Sequence, residues 1–459
     1  MEKNGMLMTQ GSIKKKILLF AIPVLIGNLF QQLYNTADSL IVGNLLGAQA
    51  LAAVTSTASL CYLIIGTFNG LAMGAGTVIA RYIGARDDDA VTRAVHTAVA
   101  LGLVCSMIVS VGGYFAAGPL LRLMDSPDDV LPLSTKYLSI YLGGSFSVVM
   151  YNIFVGILQA NGDSRHPLYY LIASSVLNIL LDILFIAKFR MGVEGAAIAT
   201  VISQTLSACL AGGRLMRSTS IVKIRVSKVY FDHESLKYIL RYGLPTGAQV
   251  AVIDLSNVLI QSFINSFGSI AMAGFGTYNK IDGFIFLPVT AFQMAIATFV
   301  SQNIGAKEYA RARDGITFGV GLTVIMSEVI GLLVCLFSRP LIELFNSDPE
   351  VIAYGILRAN ISAPFMAMAA YAHAMSAVMR GIGKPMTPMV VMLCCWCAVR
   401  VAVLYTVGIV WHNILLVCWI YPITWSLSTI VYTAYFIALR KQFPWLKRNY
   451  KGESYELAE

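Results

Sequence analysis

The chain has 459 residues, of which 57% are hydrophobic and only 12% are charged. Because soluble globular proteins carry about 25% charged residues, this composition excludes an ordinary soluble domain and predicts an integral membrane protein. The net charge of +9 does not indicate nucleic-acid binding, because the basic residues lie in short loops between apolar segments.

The first apolar run follows a basic segment, Lys14–Lys16, and continues well past the length of a signal peptide's hydrophobic region. The first helix is therefore expected to stay in the mature protein. A membrane-spanning helix needs about 20 apolar residues. On this basis the hydropathy pattern predicts twelve spans, at residues 17–43, 52–80, 93–117, 134–160, 167–188, 192–214, 239–265, 271–302, 315–337, 354–380, 386–410 and 414–438.

The loops alternate in basic content, and this alternation predicts the topology. The odd-numbered loops contain few basic residues, whereas the even-numbered loops and the termini contain many. Since short basic loops stay on the cytoplasmic side, both termini are predicted to be cytoplasmic. The basic stretch after the sixth span predicts an N-terminal six-helix lobe at 1–216, a cytoplasmic linker at 217–238, a C-terminal six-helix lobe at 239–440 and a cytoplasmic tail at 441–459.

An internal repeat relates the two halves. Pro119–Val130 (PLLRLMDSPDDV) aligns with Pro340–Val351 (PLIELFNSDPEV), and 340 minus 119 gives a spacing of 221 residues. The same spacing separates Gly47 from Gly268, Gly162 from Gly383, and Pro167 from Pro388. With an even number of spans in each half, the repeat is parallel, and transporters with such repeats place the substrate path between the lobes. A duplicated structural or channel protein is the alternative.

The first half carries two carboxylates inside its spans, Asp38 and Asp182, which are costly in lipid unless they face water or a partner. Asn178 lies one helical turn before Asp182 on the same face. From the helical rise, Asp182, Thr200 and Asp38 lie about 9, 12 and 13 Å from the outer ends of their spans. These four side chains are therefore expected to bind a sodium ion or hold a shared proton. A buried polar network that only fixes helix packing is the alternative.

The second half has a different set of charges inside its spans: Asp254, Lys280, Asp282, Glu328 and Arg400. By the same arithmetic, Asp254, Asp282 and Arg400 lie about 17–20 Å from the ends of their spans, near the middle of the membrane. Opposite charges at one depth predict that Asp254 or Asp282 pairs with Arg400 and Lys280. Such pairs would be structural or would rearrange during transport.

Motifs for enzymatic chemistry are missing from the sequence. There is no Walker motif, no HExxH and no GxSxG, so ATP-driven transport and hydrolysis have no support. Gly70, Gly74 and Gly76 in the second span predict close helix packing rather than phosphate binding. The eight cysteines lie in apolar runs without His partners at metal spacing. The protein is therefore predicted not to be an enzyme, to need no cofactor and to use an ion gradient.

Several segments together resemble the multidrug and toxic compound extrusion (MATE) family over nearly the whole chain. They are QQLYNTADSLIVGNLLG in the first span, TVIARYIGAR with its counterpart TFVSQNIGAK, LQANGDSRHP with its counterpart MRGIGKPMTP, and NILLDILF and GVEGAAIAT. The resemblance implies an all-α membrane protein of twelve helices in two pseudo-symmetric six-helix bundles that form a V. It also implies cation-coupled export, with the family's cation site falling on Asp38, Asn178, Asp182 and Thr200.

The predicted function is secondary active multidrug efflux, in which small cationic or amphipathic organic compounds leave in exchange for H⁺ or Na⁺. Ion binding at Asp38 and Asp182 is expected to bend the first helix near Pro23. The resemblance places the protein in a bacterial cytoplasmic membrane, where it is expected to work as a monomer. Aromatic and Met side chains are candidates for the substrate cleft: Tyr34, Tyr151, Phe154, Phe275, Phe286, Met294 and Met366.

A flippase for a lipid-linked sugar is the alternative function. It shares the need for an amphipathic path between lobes but favours a cationic cavity for a pyrophosphate headgroup. Arg400 and Lys280 are the residues that support this alternative.

Overall fold

The computed structural model describes residues 7–124 and 130–447, and the regular structure within these ranges is helical. The first half contains α1 (Ile13–Leu46), α2 (Ala48–Ala85), α3 (Asp88–Leu123), α4 (Leu131–Gly143), α5 (Ser145–Ala160), α6 (Arg165–Asp182) and α7 (Val193–Arg217). The second half contains α8 (His233–Asn265), α9 (Ser269–Gly305), α10 (Tyr309–Leu336), α11 (Ser338–Glu343), α12 (Pro349–Ser362), α13 (Met366–Ile382), α14 (Met386–Met392), α15 (Val399–Val410) and α16 (Ile414–Gln442). The repeated segment Pro119–Val130 and the predicted tail 441–459 lie partly outside the described residues.

The described residues contain up to twelve candidate membrane spans, in agreement with the hydropathy pattern. Within the described residues, 11 helices are long and apolar enough to cross a membrane, and the α4–α5 pair, bent by 45°, makes the twelfth span. The bend falls at Gly143–Gly144, where the backbone is least restricted. The tenth span is also interrupted, between α12 and α13, because Pro364 has no N–H to continue the α-helical hydrogen bonds.

The outward faces of the helices are apolar. Phe115 and Leu123 of α3 are 74% and 82% exposed, and Ile430 of α16 is 65% exposed. A soluble monomer rarely leaves large apolar patches in water, so these faces fit contact with lipid.

The chain forms two compact units, which we call unit N and unit C. Unit N contains Ile22–Ala251, and unit C contains Met8–Ala21 together with the residues from Val252 on. These boundaries differ from the predicted lobes, 1–216 and 239–440. The first part of α1 belongs to unit C, and the first part of α8, with the predicted linker, belongs to unit N.

Close glycine packing explains why the start of α8 belongs to unit N. A Cβ placed on Gly70 would collide with Gly247, and one placed on Gly74 would collide with Gly243. The glycines are four residues apart on both helices, so the two backbones approach along one stripe, as in GxxxG contacts. The predicted packing role of Gly70 and Gly74 is therefore confirmed.

The linker before α8 packs on α3. The backbone N–H of Arg225 donates to His96 Nε2 over 3.0 Å, and the N–H of Asp232 donates to Thr97 Oγ1 over 3.0 Å. Asp232 in turn accepts from the backbone N–H of Ser235 over 2.8 Å. Hydrogen bonds from Ser235 hold the pKa of Asp232 below its ordinary value.

The segment before α1 is bound to unit C by Arg311 of α10. The guanidinium donates to the carbonyl of Gly11 over 2.6 Å and to that of Met8 over 3.0 and 3.1 Å. The Met8 N–H donates to Gln302 Oε1 over 2.8 Å, and the Met8 side chain is fully buried. These bonds explain why Met8–Ala21 groups with unit C.

Candidate functional site

Three helices of unit N bring together the four polar residues that the sequence placed at one depth. Asp38 comes from α1, Asn178 and Asp182 come from α6, and Thr200 comes from α7. All four are buried, and Asp182 has no exposed surface. The carboxyl groups of Asp38 and Asp182 are neighbours that interact directly. Asn178 Nδ2 lies 3.5 Å from Thr200 Oγ1, at the long limit of a hydrogen bond.

A π-helical turn follows the second carboxylate directly. Asp182 is the last residue of α6, and Ile183–Lys188 continues with wider turns, in which the N–H of Phe189 donates to Leu184 O over 3.0 Å. Such turns insert a residue into a helix and occur often at functional sites. The turn therefore changes the direction of the side chains that follow Asp182, relative to those that precede it.

A small cavity of about 10 Å³ lies beside these residues. This is about the room that one water molecule needs. The residues that line the cavity each carry a hydroxyl or amide group: Tyr34, Ser174, Ser175, Asn178, Thr200, Ser203 and Gln204.

Several buried oxygens of this cluster have no hydrogen-bond donor within the described part of the chain. They are Asp38 Oδ1, Asn178 Oδ1, both carboxylate oxygens of Asp182 and Ser203 Oγ. An ionised carboxylate can only accept hydrogen bonds, so two adjacent carboxylates need a proton or a cation between them. The oxygen ligands suit a hard cation. In the described ranges no three His, Cys, Asp or Glu side chains group as a metal site, so a zinc-type centre finds no support there.

Additional site residues follow from helical spacing. Ser174 lies one turn before Asn178 on α6, and Ser203 and Gln204 lie one turn after Thr200 on α7. Extending the predicted set by three or four residues along each helix would have found them.

The charged residues of unit C do not pair as predicted. Among the described residues, neither Arg400 nor Lys280 forms an ion pair with Asp254 or Asp282. Arg400 is 1% exposed and donates to Thr424 Oγ1 over 2.9 Å. Lys280 is exposed and lies over the ring of Phe345. Equal depth does not bring two side chains together unless their helix faces also meet.

Glu328 has a structural partner. Its Oε2 accepts from the backbone N–H of Ala367 over 2.8 Å. Ala367 lies in the first turn of α13, whose N–H groups have no partner within the helix. Glu328 thus caps the helix that restarts after Pro364.

Arg358 of α12 is an intramembrane cation that sequence reasoning missed. It is 2% exposed and lies against the rings of Phe275, Tyr278 and Tyr421. Asp282 interacts with it electrostatically. Because Arg358 lies near one end of its predicted span, it was not counted among the charges at the membrane centre.

The predicted cleft residues differ in their surroundings. Tyr34 lines the cavity of unit N, and the Tyr151 hydroxyl donates to Pro167 O over 3.2 Å. Phe275 and Met366 are fully buried, each within a hydrophobic cluster of unit C. Three others are partly buried: Phe154, Phe286 and Met294.

Comparison with known proteins gives a consistent picture. The MatE family model matches residues 23–184 and again 245–406, once in each half, as the repeat predicts. The probable multidrug resistance protein YpnP of Bacillus subtilis (strain 168) is 32% identical over 347 residues, covering 76% of this chain and 78% of YpnP. A FAD transporter of Shewanella oneidensis is 25% identical over 406 residues, covering 86% of this chain and 87% of that protein.

Among solved structures, the chain is similar to the outward-facing conformation of a multidrug resistance MATE family transporter of the MOP superfamily. The TM-score is 0.89 at 25% sequence identity, and the match covers 98% of this chain and 100% of the other. The similarity extends over both halves of the chain.

Proposed function

Because the chain belongs to the MATE family of membrane transporters, we propose that it exports small organic molecules by antiport against H⁺ or Na⁺. Members of this family are transporters and not enzymes. The observation that carries the proposed coupling is the set of buried oxygens without donors around Asp38 and Asp182.

The coupling site of this proposal is the pair Asp38 and Asp182, with Asn178 and Thr200 as neighbouring oxygen groups. Two ionised carboxylates side by side in a buried site repel each other, so the empty site is unfavourable. A proton or a sodium ion removes this repulsion. The ion would therefore be bound in one conformation and released in another, which is what coupling requires.

Helix α1 is the element that would carry this change. It holds Asp38 in unit N, yet its first residues belong to unit C, and the division at Ala21 and Ile22 lies beside Pro23. Proline inside a helix removes a backbone hydrogen bond and allows a kink. Ion binding at Asp38 is proposed to alter the bend of α1 at Pro23.

The substrates are proposed to be cationic or amphipathic compounds. Supporting this, YpnP is described as a probable multidrug resistance protein, whereas the Shewanella relative transports FAD, so relatives differ in substrate. The protein is proposed to act as a monomer in a bacterial cell membrane with both termini in the cytoplasm. Lys280 and Arg400, the residues behind the alternative of a lipid-linked sugar flippase, have different neighbours, since Lys280 is exposed beside Phe345 and Arg400 is buried beside Thr424.

The test is ethidium accumulation in cells that express the wild type, Asp38→Asn or Asp89→Asn. The Asp89 carboxylate is exposed and serves as the matched control. The wild type and Asp89→Asn should lower accumulation and Asp38→Asn should not. Collapsing the proton and sodium gradients separately should abolish the effect in one case, which identifies the coupling ion. Unchanged accumulation with the wild type in the membrane would argue against multidrug export.

A further inference from the structure

Two fully buried cations of unit C share one aromatic ring. The guanidinium carbons of Arg358 and Arg400 lie 3.8 and 4.6 Å from the ring centre of Tyr421. The arginines come from α12 and α15, and the tyrosine comes from α16. Arg400 also lies 4.8 Å from the ring of Trp396. Three helices therefore hold two positive charges in one small region of the membrane interior.

These guanidinium groups have donors without acceptors. Arg358 Nε and Nη1 and Arg400 Nη2 are buried and make no hydrogen bond within the described residues. Asp282 is the acidic neighbour of Arg358, but the two form no ion pair there. A buried charge without a partner is unfavourable by several kcal/mol. The aromatic rings offset part of this cost, but they leave the N–H groups unused.

The internal repeat places part of this cluster, Arg400 and Tyr421, near the position of the unit N site. Adding the repeat spacing of 221 to Thr200 gives Tyr421, and adding it to Asn178 gives Val399, the residue before Arg400. The register holds in this region, because Gly192 and Asn413, which are 221 residues apart, directly precede α7 and α16. Two of the three helices therefore correspond, since α15 and α16 of this cluster match α6 and α7 of the unit N site, whereas Arg358 of α12 matches Tyr137 of α4.

Each site also has a π-helical turn nearby, at a different position of the repeat. A π-helical turn, Leu393–Ala398, ends two residues before Arg400, whereas the turn of unit N begins directly after Asp182. Trp396, inside the second turn, donates from Nε1 to Ser428 Oγ over 3.0 Å. Its carbonyl accepts from Ser256 Oγ over 2.6 Å. These bonds fix the ring against which Arg400 lies.

We propose that Arg358 and Arg400 form an anion-binding site in unit C, which takes a carboxylate or phosphate group of a small molecule. The planar guanidinium presents paired donors that match two oxygens of such a group. The unused donors of Arg358 and Arg400 supply these contacts, and the bound oxyanion neutralises the excess positive charge. This inference does not depend on efflux or on the ion bound by unit N.

The test uses the purified full-length protein in lipid nanodiscs. The unfolding midpoint is measured in sodium acetate, phosphate, chloride or methanesulfonate at constant sodium concentration and ionic strength, so that only the anion changes. Acetate and phosphate should raise the midpoint of the wild type by about 2 °C relative to methanesulfonate when the anion is well above its dissociation constant.

The variants Arg358→Gln and Arg400→Gln should lose this shift. Arg380→Gln is the matched control, because Arg380 is equally buried in unit C but donates to Ser376 Oγ of its own helix, whereas Arg358 and Arg400 lie over the Tyr421 ring. The proposal is overturned if the wild type shows no difference between the anions, if Arg380→Gln loses the shift as well, or if only chloride produces it. A shift that Arg358→Gln and Arg400→Gln retain would also overturn the proposal, and a wild type that shows no shift overturns it even if these variants do not fold.

Discussion

Unit N and unit C arose from one repeated sequence, yet their buried polar residues carry opposite charge. In unit N, Asp38 and Asp182 face each other with unpaired oxygens, and in unit C, Arg358 and Arg400 lie against Tyr421 with unpaired donors. The residues that the repeat retains include glycines and prolines, such as Gly162 and Gly383. Gly162 and Gly383 have φ values of 80° and 108°, which other residues adopt only with strain. Backbone requirements thus preserve the helix pattern, while the chemistry of buried side chains can diverge.

The two units also differ in how they hold a helix start. The start of α8 packs on unit N through paired glycines, whereas the segment before α1 is bound to unit C through Arg311. The positions that correspond to Gly70 and Gly74 in unit C are Ala291 and Ala295, 221 residues later. The repeat therefore does not reproduce the glycine stripe of α2 in unit C.

The largest effect is expected when a single buried carboxylate of unit N, and not one of unit C, is replaced by an amide. Asp182→Asn should abolish ethidium efflux, because an amide cannot take the negative charge that attracts the coupling ion. Asp254→Asn, which changes a half-buried carboxylate of unit C, should leave most of the efflux intact. Both proteins must be present in the membrane in equal amounts. Equal loss in the two variants would mean that coupling is not confined to unit N.

The next effect concerns the glycine contact. Gly74→Val should destabilise the protein by about 3 kcal/mol, because the new side chain meets the backbone of Gly243 rather than a flexible group. Gly112→Val is the control, since a Cβ at Gly112 has nothing within 4 Å. The fraction of monodisperse protein after mild heating in detergent measures the difference. If the two valine variants retain the same monodisperse fraction, the close approach of α2 and α8 does not contribute to stability.

A smaller effect is expected for the hydrogen bonds that hold the segment before α1 on unit C. Arg311→Gln should remove most hydrogen bonds to the carbonyls of Met8 and Gly11, at a cost of about 1–3 kcal/mol. Hydrogen exchange of the segment before α1 should become faster. Arg339→Gln, which breaks an exposed pair with Glu343, should leave it unchanged. Slow exchange retained in Arg311→Gln would show that the buried Met8 side chain is sufficient.

The smallest effect is expected at Asp232, which begins α8 on the unit N side. The pKa of Asp232 is lower in the folded protein than in the unfolded chain. The contribution of its charge to the free energy of unfolding is therefore complete above the unfolded pKa of about 3.9. This contribution disappears as the pH falls through the folded pKa. Because the group is partly exposed, the variant Asp232→Ala should lose only about 0.5–1 kcal/mol at pH 7. The unfolding midpoints of wild type and variant should converge as the pH falls from 7 to below the folded pKa. If the difference between the two midpoints does not change with pH, the loss of stability in Asp232→Ala comes from packing and not from the charge.

The positions of the twelve spans, the duplication and the four unit N residues were predictable from the sequence. Span positions follow from apolar length, and the grouping of Asp38, Asn178, Asp182 and Thr200 follows from the rise and turn of an α-helix. These quantities depend on one helix at a time. For the same reason the sequence indicated the depth of Arg400 but not its neighbours.

The tertiary structure alone decided which charged residues meet and which unit each helix start joins. Arg358 and Arg400 come together at Tyr421 because the faces of α12, α15 and α16 meet there, and the expected pairs with Asp254 and Asp282 did not form. The start of α8 lies in unit N because Gly243 and Gly247 fit against α2. Such contacts depend on how several helix surfaces match in three dimensions, and neither hydropathy nor the repeat spacing contains that information.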